Sequence, residues 1–291
     1  VVGNELIPFA EIFMKTWLSA FVLGALDVCI SCPVAAAPAR NDALPFAATS
    51  TVLDAQSLSG TWFSTSQPGS RMLLQTTPDA ATPGKQTLAG RWLTFDGIAT
   101  SDERNQRWYS LQGDVSASGS IAQVSLYRTL GGSFDAASAV EVSLAGSATL
   151  TFADCNHATL EFHFTDAARG AQLGPVDQRI PQNGTLAWQR EDTAGRCPNA
   201  ATGVAVGGLS GAWADPTKSE QGLWVDADAQ DGTISAAWST FVPASDTQFV
   251  DASRQRWFTL RAPMSDPKSI SAIPIYSTVG ANFNPSSPTP T

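Results

Sequence analysis

Gln106-Arg107-Trp108-Tyr109-Ser110-Leu111 returns in the second half of the chain as Gln255-Arg256-Trp257-Phe258-Thr259-Leu260. Three further blocks recur around it in the same order. Leu58-Ser59-Gly60-Thr61-Trp62 matches Leu209-Ser210-Gly211-Ala212-Trp213, and Leu88-Ala89-Gly90-Arg91-Trp92-Leu93-Thr94-Phe95 matches Ile234-Ser235-Ala236-Ala237-Trp238-Ser239-Thr240-Phe241. Tyr127, Thr129, Gly131 and Phe134 match Tyr276, Thr278, Gly280 and Phe283. Ordered recurrence at nearly constant spacing is the signature of a duplicated structural unit. The first copy runs on past Phe134 through Cys155 to Cys197, whereas the second has little sequence after Phe283, so it is expected to be incomplete.

Within a copy the pattern is that of strands. Short alternating segments rich in Val, Thr, Trp, Tyr and Phe are punctuated by Gly, Pro, Asp and Asn, which is the period-two signal of half-buried strands. Strands are predicted near 58–65, 71–77, 87–95, 106–113, 121–129, 142–153, 158–165 and 184–190, with Asn183-Gly184 as a tight turn before the last. Eight sequential strands with short links predict an all-β, antiparallel up-and-down meander closing into a small eight-stranded barrel. The second copy, with five such strands, cannot close alone and leaves an open edge.

Side chains two apart in a strand share a face. An aromatic is followed by a hydroxyl at that interval in Trp62/Ser64, Trp92/Thr94, Trp108/Ser110 and Tyr127/Thr129, and again in Trp238/Thr240, Trp257/Thr259 and Tyr276/Thr278. Two readings follow. The rings are core, tied to neighbours across strands, or they line a cavity or groove in which apolar walls and a few hydrogen-bonding groups hold a small ligand or a glycan. On the second reading the binding residues are Trp62, Trp92, Thr94, Trp108, Ser110, Tyr127, Thr129, Trp238, Trp257 and Tyr276.

The N-terminal part reads as a targeting segment. From about Met14 it has one basic residue, Lys15, an apolar run from Trp17 to Ile30, and Ala-rich sequence ending at Ala39, the shape of a secretory signal. Residues 1–39 are therefore expected to be an extension plus signal, and 40–57 a linker. The complete unit is placed at 58–198, a second linker at 199–207, the truncated copy at 208–283 and a Pro/Ser/Thr-rich tail at 284–291. Cys29 and Cys32 fall inside the signal. Cys155 and Cys197 are left for the mature chain, where an oxidising compartment would pair them.

The 291 residues are 43% hydrophobic and 15% charged, enough apolar content for a packed core. A net charge of −9 excludes a general affinity for nucleic acid or anionic lipid. The sequence has no G-x-S-x-G, H-E-x-x-H, phosphate loop or dinucleotide fingerprint in a strand-helix context. His157 and His163, six apart in one strand, stand roughly 20 Å from each other, too far to share a metal ion. No cofactor and no metal site is expected, and no stable membrane span in the mature chain.

Trp213-Ala214-Asp215-Pro216, Ser219-Glu220-Gln221-Gly222-Leu223, the Gln-Arg-Trp block, the Tyr-x-Thr-x-Gly-x-x-Phe block and Asp154-Cys155-Asn156 together resemble an uncharacterised repeat of secreted bacterial proteins. That repeat has the pattern S-G-x-W-Y-x-P-x-x-S-G-Q-G and is often appended to exported enzymes. The resemblance implies export, secreted or periplasmic, and modular use, and brings no catalytic residue. Gly60-Thr61-Trp62-Phe63 followed by a meander is also similar to the opening of avidin-like and lipocalin-like barrels. The expected role is noncatalytic recognition of a small molecule, glycan or surface partner, with pairing of chains through the edges of the second copy. The alternatives are a glycan-active hydrolase using Asp or Glu in an aromatic groove, and a spacer repeat without a ligand.

Overall fold

A computed structural model describes residues 58–170, 172, 179–191, 209–215, 217–218, 220–228, 232–264 and 272–283. The expected signal, both linkers, the tail, and Cys29, Cys32 and Cys197 lie outside the described residues. The described residues all belong to one compact unit.

The first copy is a closed antiparallel barrel of eight strands in sequential order. They are β1 (Gly60–Ser64), β2 (Arg71–Pro78), β3 (Gln86–Phe95), β4 (Gln106–Val115), β5 (Ile121–Leu130), β6 (Glu141–Phe152), β7 (His157–Phe164) and β8 (Asn183–Arg190). Strand β8 closes the barrel on β1, with Trp62 opposite Arg190. A single short helix, α1 (Asp166–Gly170), links β7 to β8 among the described residues. Strand β7 shows why the sequence builds this wall: Ala158, Leu160, Phe162 and Phe164 are buried inward, while His157, Glu161 and His163 are exposed outward, the period of a sheet with one wet face.

Trp92 is the hub of the barrel core. Its ring lies 5.7–5.8 Å from those of Tyr109, Phe162, Phe164 and Phe283 and 6.4 Å from Trp188. Stacked, tilted and edge-on pairs of this kind add about 0.5–1.5 kcal/mol each beyond area burial. Where the barrel closes, Arg190 is buried, its guanidinium 4.6 Å over Trp62 and its Nε donating to the Cys155 carbonyl at 2.7 Å.

The second copy forms a five-stranded antiparallel sheet: β9 (Gly211–Ala214), β10 (Gly222–Asp228), β11 (Thr233–Phe241), β12 (Gln255–Pro263) and β13 (Ile275–Tyr276). Its registers repeat those of the barrel. The row Trp62–Met72–Trp92–Tyr109 across β1–β4 reappears as Trp213–Leu223–Trp238–Phe258 across β9–β12.

The two copies pack through their outer faces around a second core of Leu73, Leu93, Phe95 and Trp108 from the barrel with Trp224, Ala237, Phe241 and Trp257 from the sheet. Contacts across this core are reciprocal. Phe95 meets Trp257 edge-on at 5.4 Å, and its counterpart Phe241 meets Trp108 edge-on at 5.8 Å. Each copy also lends the Phe of its Tyr-x-Thr-x-Gly-x-x-Phe block to the other: Phe283 plugs the barrel, and Phe134 lies 5.9 Å from Trp238.

The expected turn at Asn183-Gly184 is not one. Both residues lie in β8, where Gly184 pairs with Phe162, and a Cβ on it would meet the Phe162 ring at 2.9 Å. The missing side chain makes room for an aromatic instead of reversing the chain.

Candidate functional site

The registers split the aromatic–hydroxyl face anticipated from the sequence. Trp92 lies opposite Tyr109, and Leu93 opposite Trp108. Trp62, Trp92 and Thr94 consequently point into the barrel, while Trp108, Ser110 and Tyr127 are on its outside. Trp62, Trp92, Trp108, Thr94 and Thr129 have 0% exposure, as does Trp257. The tryptophans are packed core, Trp62 and Trp92 in the barrel cluster and Trp108 and Trp257 in the second one, and Thr94 and Thr129 are buried polar side chains. Ser110 and Tyr127 pair with each other across β4 and β5 and are half-buried. Ser110 accepts a short hydrogen bond from Arg91, whose guanidinium lies 4.4 Å over Trp108. Trp238 is half-buried and Tyr276 is 53% exposed, both on the second sheet.

The concave surface that the barrel does offer is built from residues of a different kind. A groove of about 1290 Å³ crosses the outer face of β4–β8 and reaches β3 at Thr87. Its floor is two rows in strand register. One runs Thr87–Asp114–Gln123–Thr149–Glu161–Thr185, and the other runs Gln112–Ser125–Ser147–His163–Asn183. At the strand spacing of about 4.8 Å the longer row spans roughly 24 Å.

The concavity has a cause in the sequence. Between the two outward rows lies an inward row, Gly113–Val124–Ala148–Phe162–Gly184, in the same register. Two of its five members have no side chain and a third is alanine, so the wall sinks toward the core there. At Gly113 a Cβ would come within 1.8 Å of the Gln123 carbonyl oxygen, and at Gly146 within 2.0 Å of that of His163. Glycine inside a strand is the usual means of such close main-chain approach.

The chemistry of the groove is hydroxyl, amide, carboxylate and imidazole. Lys85 pairs with Asp114 at 3.1 Å at one end, and Thr77 and Thr87 share a hydrogen bond of 3.0 Å beside it. The side chains of Gln112, Gln123, Ser147, Thr149, Glu161, His163 and Thr185 make no hydrogen bond to the described residues, leaving donors and acceptors turned to solvent along both rows. Asp114 and Glu161 are three strands apart, about 14 Å. His157, the other histidine, is held outside the groove by Asp154, Nδ1 to Oδ2 at 2.9 Å. No group of three metal-ligating side chains occurs among the described residues, and no described helix is long and apolar enough to cross a membrane.

Sequence reasoning followed the aromatic residues and missed this groove. Its signal is the alternate polar residues Gln112/Asp114, Gln123/Ser125, Ser147/Thr149/Thr151 and Thr159/Glu161/His163, which read as ordinary solvated strand until register brings the rows together. Comparison of the chain with protein-family models, with curated proteins and with solved structures returns no match.

Proposed function

We propose that the protein is a noncatalytic binding module and that its recognition surface is the polar groove over β4–β8, fitted to a polyhydroxylated ligand of the glycan class. The observation that carries this reading is the double row of unengaged hydroxyl and amide side chains along a concave floor. A sugar chain presents hydroxyls at a regular repeat, and the rows offer hydrogen-bonding side chains at the strand spacing of about 4.8 Å. Water-bridged and direct hydrogen bonds then alternate along such a site. A hydrolase is less well supported, because the strand positions that carry Asp114 and Glu161 stand about 14 Å apart, whereas glycoside hydrolysis uses carboxyl pairs separated by about 5–9.5 Å. Export from the cytoplasm, by the expected signal, and kinship with the secreted repeat belong to the same proposal. They place the module where glycans are.

The test is a glycan panel read by heteronuclear NMR on the full chain. Saturable shifts confined to Gln123, Ser147, Thr149, Glu161 and Thr185, lost in Ser147→Trp, support the groove. Absence of binding across the panel, or binding that Ser147→Trp leaves intact, overturns it.

A further inference from the structure

The five-stranded sheet repeats the barrel wall but not its closure. In the barrel the inner row Trp62–Met72–Trp92–Tyr109 is 0–4% exposed because β6–β8 lie across the core from it. In the sheet the equivalent Trp213 is 51% exposed, and Leu223, Trp238 and Phe258 are only half-buried. Leu126 of β5 is 0% exposed, and its counterpart Ile275 is 55% exposed. Strand β1 pairs with β8 and strand β5 with β6. Among the described residues, β9 and β13 have no partner on the corresponding edges.

Phe134 makes the same point from the other side. Its counterpart Phe283 is 5% exposed because it meets Trp92 from the repeated wall and Phe162, at 5.5 Å, from β7. Phe134 has the first of these contacts, through Trp238, and is 43% exposed for want of the second. The plug of a second barrel is thus in place before the barrel is closed.

We infer that the inner face of β9–β13 is a docking surface for a polypeptide that adds three antiparallel strands on the pattern of Glu141–Arg190. That occupant has aromatic and aliphatic residues at alternate inward positions and main-chain groups that pair with the edges of β9 and β13. Among the β-strands described, the pattern that covers this face in the first copy specifies what fits it in the second. Strand addition at an open edge draws affinity from main-chain hydrogen bonds and specificity from alternate side chains, and an exposed apolar face beside open edges is a surface that natural sheets otherwise avoid. The inference is independent of the groove, which lies on the barrel.

The experiment uses the full chain with an added copy of Glu141–Glu191 joined at its C-terminus by a flexible Gly/Ser linker of about 20 residues. Trp213 fluorescence is isolated by difference from Trp213→Phe in each background. Its quenching by acrylamide is expected in the parent and lost in the extended chain, which sediments as a monomer. An added copy carrying Phe162→Asp and Trp188→Asp is expected to leave the quenching intact. If the extended chain does not fold, the parent is refolded with the segment as a separate polypeptide and read in the same way. Quenching that persists in both formats overturns the inference. So does a parent chain that is already dimeric with Trp213 protected, which assigns the face to a second copy.

Discussion

Gln106 and Gln255 hold the two copies together by an exchanged contact: Gln255 Oε1 accepts the main-chain N–H of Trp108 at 3.3 Å, and Gln106 Oε1 accepts that of Trp257 at 3.0 Å. Their amides are exchanged too, Gln106 Nε2 donating to the Thr278 carbonyl and Gln255 Nε2 to the Thr129 carbonyl, each at 3.1 Å. Thr129 and Thr278 are themselves equivalent in the repeat, so one sequence block has been used twice as both halves of a self-complementary interface. That arrangement is the logic of a two-fold dimer, realised within one chain.

Gln106→Leu keeps the volume and removes both bonds. It strands buried polar groups, each at about 1–3 kcal/mol. The expected outcome is a lower urea midpoint together with new solvent access at Trp257. Gln255→Leu does the same at Trp108. The double variant tests exchange directly, since two bonds that act as one interface give less than the sum of the single losses. Equilibrium unfolding with Trp emission measures all three.

Eight alternating segments with short links made the strands and the closure of the first copy readable from the sequence, and the repeat made the openness of the second readable. The proposed site was not readable, and the reason is particular. Alternation assigns Trp92 and Thr94 to one face and Trp108 and Ser110 to one face, but only register says whether those faces are the same. Register puts Trp92 beside Tyr109, so the two pairs lie on opposite sides of the wall. A one-residue offset between neighbouring strands changes every such assignment. The same limit hid the groove, whose rows become contiguous only through five consecutive registers.

Phe283 and Phe134 are equivalent in sequence and unequal in burial, at 5% and 43% exposure. Phe283→Ala removes a ring from the barrel hub and should cost about 3–5 kcal/mol. Phe134→Ala removes one that is still half in water and should cost well under half as much. Thermal or urea unfolding of the two variants checks the difference. Equal losses would mean that the second sheet is already covered in solution.

Tyr109 is buried against Trp92 and Phe164, and burial, reinforced by the charge of Asp96, raises its phenol well above the ordinary tyrosine range, with Arg107 opposing. Asp96 and Arg107 are themselves a fully buried ion pair. The folded state therefore keeps the Tyr109 proton after the unfolded state has released it. Above about pH 10 the unfolded chain binds fewer protons than the folded one, so stability falls with rising pH, by about 1.4 kcal/mol per unit from this group. Below pH 10 the contribution is constant. Tyr109→Phe should show a shallower alkaline decline than the parent in urea midpoints measured from pH 8 to 11, whatever its stability at neutral pH.

Cys155 is 3% exposed, and its carbonyl accepts from the guanidinium that stacks on Trp62 at the closing seam of the barrel. A bridge from here to Cys197, as the sequence leads one to expect, would tie the segment after β8 to that seam. Peptide mapping of protein secreted into an oxidising compartment should recover Cys155 and Cys197 as one linked pair. Reduction should then lower stability by about 3–4 kcal/mol on the loop-entropy estimate. Cys197→Ser alone should reproduce that loss without any reductant.

Gly113 joins the fold to the proposed function. A methyl group there would press on the Gln123 main chain at 1.8 Å, and main chain in a closed barrel has nowhere to move except by opening the β4–β5 seam. Gly113→Ala should therefore cost at least about 1–3 kcal/mol, the range for overpacking. Gly170→Ala, where nothing lies within 4 Å of the new methyl, should cost nothing. The displaced seam carries Asp114 and Gln123, which are neighbours in the longer row of the groove. Relaxing the dent moves that row outward and flattens the floor, so Gly113→Ala should weaken glycan binding at temperatures where the variant is still fully folded. Gly170→Ala should bind as the parent does. Titration of both variants with the same glycan, beside circular dichroism to confirm folding, distinguishes a groove whose shape matters from a surface that is merely polar.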